Sequence, residues 1–321
     1  MTCFHPIKAY ELIDAENPSG KKTIVFHETH IGKHDYTHIT VPCNGCYGCR
    51  IDYSKQWAIR CFHESLGFSE NSFITLTINE TNMNKYRTLI KSEHQKFMKR
   101  LRKKSSVIRA ELGKEPKKIR YFHCGEYGSK KDRPHYHTLL FNFDFPDKYI
   151  WDKRDGYRVY RSPMLEELWT MGFSSIGEVT YESCAYVARY ILKKMTGTLG
   201  KEYYKKVNFE TGEHWKVLPE YTTMSRRPGI GKKWIKENYS DVYPKDYFTI
   251  KGNKFKPPRY YDAIYEYKEP EKFLEIKEKR GIALLDKADN ITPQRLAVRE
   301  EILKRRCKKL IRSFENGTQT L

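Results

Sequence analysis

The residues of this chain whose types and spacing suit chemistry are His135, His137, Glu126, Tyr186, Tyr190 and Lys193. In a β-strand, residues two apart share a face, so His135 and His137 set two imidazoles side by side, about 7 Å apart along the backbone. Such a pair chelates a metal. Glu126 sits at the end of the neighbouring strand, close enough across a hairpin to add a carboxylate oxygen. A His/His/Glu set with open positions suits Mg²⁺ or Mn²⁺. An isolated His-x-His is more often a satisfied or surface pair, so the reading depends on its company.

That company is the segment YVARYILKK, residues 186–194. At about 100° per residue, Cys184, Ala188, Ile191 and Met195 form one stripe and are expected to be buried. Tyr186, Tyr190 and Lys193 fall on the other side and are expected to leave the core together. Two tyrosines four apart are often a core aromatic pair, but here the apolar side is already occupied. A phenol loses its proton near pH 10, so it attacks a phosphodiester only when the proton is drawn off or the phosphate is polarised. A divalent cation polarises it. Lys193 can stabilise the phenolate or the phosphate charge.

A second set of ligands lies near the start. Cys43, Cys46 and Cys49 form C-x-G-C-x-G-C, in which each glycine lets the chain curl so that amides face thiolate. Cys3 or His5 can complete a tetrahedral Zn²⁺ site. An iron–sulfur cluster is the rival, although Tyr53 stands where a ferredoxin run would place its next cysteine. Unligated thiols are the third reading.

The elements that must position these groups follow from the patterning. Ser54–Leu66 reads as a helix. The run SFITLTI (72–78) alternates threonine with apolar residues and reads as a strand. Two further strands are expected at Ile119–Cys124 and His135–Phe143, joined by a turn with Gly125, Gly128 and Pro134. A helix is expected at Pro163–Met171, a strand at Phe173–Val179 and a helix at Tyr181–Met195. Between the first two strands, residues 85–120 hold fourteen Lys and Arg against three acids. Within them Ile90, His94, Phe97, Leu101, Ile108 and Leu112 recur at helical spacing. The order strand, helix, strand, strand, helix, strand, helix predicts an α+β fold: an antiparallel ferredoxin- or RRM-like sheet with helices on one face. The expected organisation is a Cys-rich zinc-type region at 1–50 without a packed core, a main domain at 51–231 and a basic extension at 232–321. In the extension, residues 264–314 read as one or two helices broken near Thr292 and Pro293.

Sixty Lys and Arg against forty Asp and Glu give a net charge of +20 over 321 residues, and aromatics reach 14%, with 24 tyrosines. Excess cations point to polyphosphate, and rings interleaved with cations suit stacking on unpaired bases. Single-stranded nucleic acid is therefore the expected partner. No run of 18 apolar residues and no secretion signal is evident, so a cytoplasmic protein without membrane contact is expected.

The strand Phe73–Ile78, the histidine motif Arg133–Phe141 and YVARYILKK, in that order, resemble the three motifs of HUH endonucleases. The two-tyrosine helix looks most like replication initiators of microviruses, in particular their gokushovirus-like branch. PCNGCYGCR near the N-terminus and SRRPGIG at 225–231 are similar to segments those proteins carry, so the resemblance covers roughly Cys3–Gly231. Tyr136, between the two histidines, is bulkier and more polar than the family's usual residue. The resemblance implies that His135 and His137 bind the metal with Glu126 as third ligand, and that Tyr186 and Tyr190 are nucleophiles. It also implies a rolling-circle initiator acting in the bacterial host cytoplasm on origin DNA. One tyrosine would cut and keep the 5′-phosphate, leaving a 3′-hydroxyl for host DNA polymerase, and the second would serve circle closure. No G-x-x-x-x-G-K-[ST] loop is present, so a host helicase is expected to unwind. The same residues would serve a plasmid-replication or transposition nickase, and charge with aromatics alone would serve a non-enzymatic single-strand binding protein.

Overall fold

The computed structural model describes residues 3–15, 22–128, 132–154, 156–192, 194, 197–208 and 210–315. Along the chain, β1 (Ile7–Leu12), β2 (Thr23–Val25) and β3 (Tyr36–Val41) precede α1 (Tyr47–Ser65). Next come β4 (Asn71–Thr77), α2 (Lys91–Glu111), β5 (Arg120–Tyr127), β6 (Pro134–Phe141), β7 (Tyr149–Arg154) and β8 (Tyr157–Arg161). They lead into α3 (Pro163–Leu168), β9 (Ser174–Gly177) and α4 (Tyr181–Arg189), which tightens into a 3₁₀ turn at Tyr190–Leu192. There follow α5 (Gly197–Tyr203), β10 (Lys205–Val207), β11 (His214–Lys216), β12 (Tyr221–Met224) and α6 (Lys232–Val242). The chain closes with β13 (Phe248–Ile250), β14 (Asn253–Phe255), α7 (Arg259–Lys268), α8 (Pro270–Leu285) and α9 (Pro293–Glu315). The break between the last two helices falls at Thr292 and Pro293, as the pattern predicts, because proline suits the first helical turn and not an interior.

Two compact units result, one of residues 1–53 with 278–314 and one built from 54–277. The first contains a three-stranded antiparallel sheet in the order β2-β1-β3. It has a small core that the Cys-rich composition conceals: Phe4, Ala9, Leu12 and Ile31 are all buried.

The second unit carries a seven-stranded antiparallel sheet in the order β12-β5-β6-β4-β9-β8-β7. The expected succession β4, α2, β5, β6, α3, β9, α4 is present, with β7–β8 and β12 added at the two edges. Strand β6 lies between β5 and β4, and its residues are buried on both faces, which is why PHYHTLLF carries little polarity beyond its histidines.

The placement of all helices on one face is corrected by the structure. On one side Phe97, Met98 and Leu101 of α2 and Leu165 and Leu168 of α3 pack against Ile74, Leu76, Tyr136 and Leu140. On the other, Trp57 and Cys61 of α1 and Cys184, Val187 and Ala188 of α4 pack against Phe122, Leu139 and Phe141. Alternate residues of β6 thus feed two cores, which period-2 patterning cannot separate when both faces are covered. A third core gathers Ile235 and Val242 of α6 with Tyr261 and Tyr265 of α7 around Ile59. Among the described residues no helix is long and apolar enough to cross a membrane.

Candidate functional site

Strand register sets the site. On the α1/α4 face, His137 stands between Cys124 of β5 and Thr75 of β4, and His135 stands between Glu126 and Thr77. Glu126 and His137 are almost fully buried, and Oε1 of Glu126 lies 3.0 Å from Nε2 of His137 and 4.0 Å from Nδ1 of His135. The His135 ring is 29% exposed. Gly128 makes room for it, since a Cβ there would lie 2.7 Å from its Cε1. At its other nitrogen, Nδ1, His137 meets Thr75 Oγ1 at 3.0 Å. A hydroxyl can donate or accept there, so it fits whichever tautomer Nε2 requires.

The tyrosines come to the same place from α4. Thr180 caps this helix in a reciprocal box with Ser183, which fixes its entry over the sheet. The Tyr190 ring stacks on His137, with centroids 4.9 Å apart and planes at 5°, and Tyr186 meets His137 edge-on at 5.4 Å. The two hydroxyls are hydrogen-bonded to each other.

One expectation is corrected here. Tyr190 does not leave the core with Tyr186 but is only 7% exposed, whereas Tyr186 is half-buried. The cause is local. The helix tightens to 3₁₀ at Tyr190, and the polar row of Thr75, His137 and Cys124 offers a flat imidazole for the ring to lie on. A helical wheel counts that side as solvent. Burial drives the Tyr190 hydroxyl well above the ordinary phenol pKa, with the Tyr186 and Glu126 charges adding to it. The buried stripe is Cys184, Val187 and Ala188. Lys193, Met195 and the Ile191 side chain lie outside the described residues.

Among the described residues, the four cysteines are the one group of three or more His, Cys, Asp or Glu whose ligand atoms all lie within 4.8 Å of one another. His135, His137 and Glu126 therefore face one another in a more open arrangement. For an octahedral Mg²⁺ with ligands at about 2.1 Å, adjacent ligand atoms stand about 3.0 Å apart. The Glu126–His137 pair already has that spacing. His135, on the exposed rim, stands 4.0 Å from the same oxygen, so a metal held by all three would require it to close by at least about 1 Å on the same geometric grounds.

In the N-terminal unit, Cys3, Cys43, Cys46 and Cys49 converge. Sulfur separations of 3.6 Å for Cys3–Cys43 and 3.9 Å for Cys3–Cys46 bracket the roughly 3.8 Å edge of a zinc tetrahedron with bonds of about 2.3 Å. The Cys43 amide donates to Cys3 Sγ, the Cys46 amide to Cys43 Sγ, and the Cys49 and Phe4 amides to Cys46 Sγ, at 3.3–3.5 Å. Burial raises the Cys46 thiol, but these amides and the neighbouring thiols outweigh it and bring its pKa to about 6. The set could hold a metal ion such as zinc. His5 is not part of it and pairs with Glu300 at 2.8 Å.

Sequence reasoning missed Thr75 and Cys124. The signal for Thr75 was present, since Thr75 and Thr77 repeat at the same two-residue spacing as the histidines. The role of SRRPGIG was also hidden. Glu64 and Arg120 form a buried ion pair, and Glu64 also accepts from the Gly231 amide at 2.7 Å while Arg120 donates to the Pro228 carbonyl at 2.8 Å. Gly231 has a φ of +76°, and a Cβ there would strike the Tyr261 hydroxyl.

The family model for replication-associated proteins of the ORF2 type matches residues 71–195, the stretch that carries β4, the histidine strand and the tyrosine helix. The chain is 33% identical over 284 residues to replication-associated protein VP4 of Bdellovibrio phage phiMH2K, covering 87% of this chain and 82% of that one. This chain belongs to the phage replication-associated proteins. To the family's ORF2 protein of Spiroplasma virus 4 it is 33% identical over 298 residues, 87% of this chain and 86% of the relative. The family's ORF4 protein of Chlamydia phage 1 matches at 32% over 160 residues, 48% of this chain and 38% of that one. No solved structure matches the chain.

Proposed function

We propose that this replication-associated protein is a rolling-circle initiator of the HUH type, a metal-dependent nickase and strand-transfer enzyme built on a ferredoxin-like sheet. The observation that carries the reading is the convergence, on one face of three adjacent strands, of His135, His137 and Glu126 with the hydroxyl pair of Tyr186 and Tyr190. The family membership supports a role in replication.

A divalent cation held by His135, His137 and Glu126, Mg²⁺ or Mn²⁺, would supply polarisation of the scissile phosphate. A tyrosine oxygen attacks phosphorus, the bond to the 3′-oxygen breaks, and that oxygen departs with a proton as a 3′-hydroxyl. The 5′-phosphate stays on the tyrosine, so the ester conserves the bond for rejoining and no nucleotide cofactor is consumed. A later attack by a 3′-hydroxyl on that ester frees the phenol and closes a circle. Lys193, three residues beyond Tyr190, is assigned to charge stabilisation. The protein is expected to act in the bacterial host with host polymerase and a host helicase.

The test is incubation of the full chain and Mn²⁺ with single-stranded oligonucleotides tiling the cognate phage genome. The expected product is a denaturant-resistant protein–5′-DNA adduct, absent when Tyr186 and Tyr190 are both changed to Phe. Binding without an adduct under any divalent metal would instead support a non-enzymatic single-strand binder.

A further inference from the structure

A pocket of about 180 Å³ opens where β5 ends, and five of its walls are aromatic: Tyr86, Tyr127, Tyr203, Tyr204 and Trp215. Tyr127 directly follows Glu126, and Asp132, which also lines the pocket, lies in the hairpin that leads to His135. The pocket therefore shares the end of the sheet on which the candidate metal ligands stand.

Its walls are not those of a packing defect. Tyr86 and Tyr203 remain 39% and 51% exposed, so neither ring is closed into the core. The volume is that of about six waters, on the scale of one planar heterocycle. Trp215 stands beside Tyr86 in this wall, with ring centroids 5.9 Å apart and planes tilted by 36°. At the rim, Lys206 lies 5.5 Å from the Tyr203 ring centroid and 3.3 Å from Asp132, and Arg87 pairs with Glu80 at 3.1 Å. Exposed pairs of this kind contribute little and exchange readily for phosphate.

We infer that this pocket receives one unpaired base of the DNA strand that crosses the candidate site. The inference rests on single-stranded DNA being the substrate. Sequence-tolerant stacking on aromatic walls, with cations following the backbone, is the chemistry of single-strand recognition. The pocket would set which nucleotide beside the reactive phosphate is held, and hence where the strand is registered over the tyrosines.

Binding is measured by fluorescence anisotropy without added divalent metal, using the tightest-binding labelled tile of the phage genome and versions with one abasic site each. One position, or two neighbours, is expected to weaken binding about 5- to 150-fold, the range of one base–aromatic stack. Tyr86→Leu, Tyr203→Leu and Trp215→Leu, checked for fold by circular dichroism, should each weaken the intact oligonucleotide and erase its sensitivity to that abasic position. The two tyrosine variants alter exposed rings, so loss of fold in the tryptophan variant leaves the test standing. Equal binding of all abasic versions overturns the inference, as does an equal loss on every oligonucleotide in the variants. Abasic indifference with saturable quenching by deoxynucleoside monophosphates would assign the pocket to free nucleotides and also overturn it. An adduct test that fails while the abasic signature holds removes the nickase reading and keeps the pocket. Failure of every tile to bind overturns both.

Discussion

The hydroxyl of Thr75 lies 3.0 Å from Nδ1 of His137, across the strand pair that sets them side by side. Metal-binding histidines depend on such a partner to fix tautomer and ring. Thr75→Val keeps the shape and removes the hydroxyl. It is expected to lower nicking about 10- to 100-fold and to raise the Mn²⁺ concentration needed for half-maximal rate, while Thr75→Ser recovers most of both. A rate loss with unchanged Mn²⁺ dependence would argue against positioning.

The two phenols differ in burial, and this predicts their order. Tyr190 keeps its proton well above pH 10 because it is desolvated, whereas Tyr186 is half-buried and more accessible. Tyr186→Phe is expected to abolish the first adduct. Tyr190→Phe should still form it and fail in circle release. Gel analysis of adduct and circular product on a two-origin substrate reads both, and the reverse pattern would refute the order.

One zinc per chain is expected by elemental analysis of protein purified without chelator. Cys46→Ser, which removes the sulfur that receives the Cys49 and Phe4 amides, should lose it and raise proteolysis within residues 1–53. Iron with visible absorbance, or no metal at all, would sink the zinc assignment.

Stability should fall in acid through buried imidazoles. Desolvation lowers His94 and His63 from 6.5 to about 3 and holds His123 well below its usual value. His94 and His123 stack at 3.4 Å and share the Thr138 hydroxyl. A depressed histidine favours the neutral folded form, so its contribution is complete above pH 6.5 and lost as pH falls toward 3. The loss is about 1.4 kcal/mol per pH unit for each ring that stays neutral. Urea unfolding at pH 7.5, 6 and 5 should show this slope, and His94→Gln should make it shallower by the share of one ring.

Glu64→Gln breaks the buried pair with Arg120 and weakens the acceptor of the Gly231 amide. Removing one partner of such a pair costs about 3–5 kcal/mol. Denaturant midpoints of the variant and the parent measure it, and an unchanged midpoint would show that the pair is dispensable.

The main sheet was legible because its strands and helices each carry their own period. Phe73–Ile78 alternates, α2 repeats apolar residues every third or fourth position, and Pro163 marks a helix start. The edge strands were not legible, because β7 and β8 carry exposed Tyr149, Ile150, Trp151 and Tyr157 without a clear alternation. The side-by-side placement of the histidine pair follows from strand spacing, whereas Glu126, expected past the end of a strand, lies within β5. The burial of Tyr190 could not, because it depends on a 3₁₀ turn and on the flat ring beneath it. Nor could the partner of SRRPGIG, since Glu64 lies in a helix 167 residues before the Gly231 amide it accepts from.

The cationic helix α2 covers one layer of the sheet and the phenols lie under the other. A polynucleotide touching both has to bend sharply over the rim of the domain, through a thickness of about 20 Å at the usual spacing of packed layers. Duplex DNA, stiff over about 150 base pairs, resists that curvature, whereas a melted strand follows it easily. Selection for unpaired DNA would then be written into the layering of the domain as well as into its side chains.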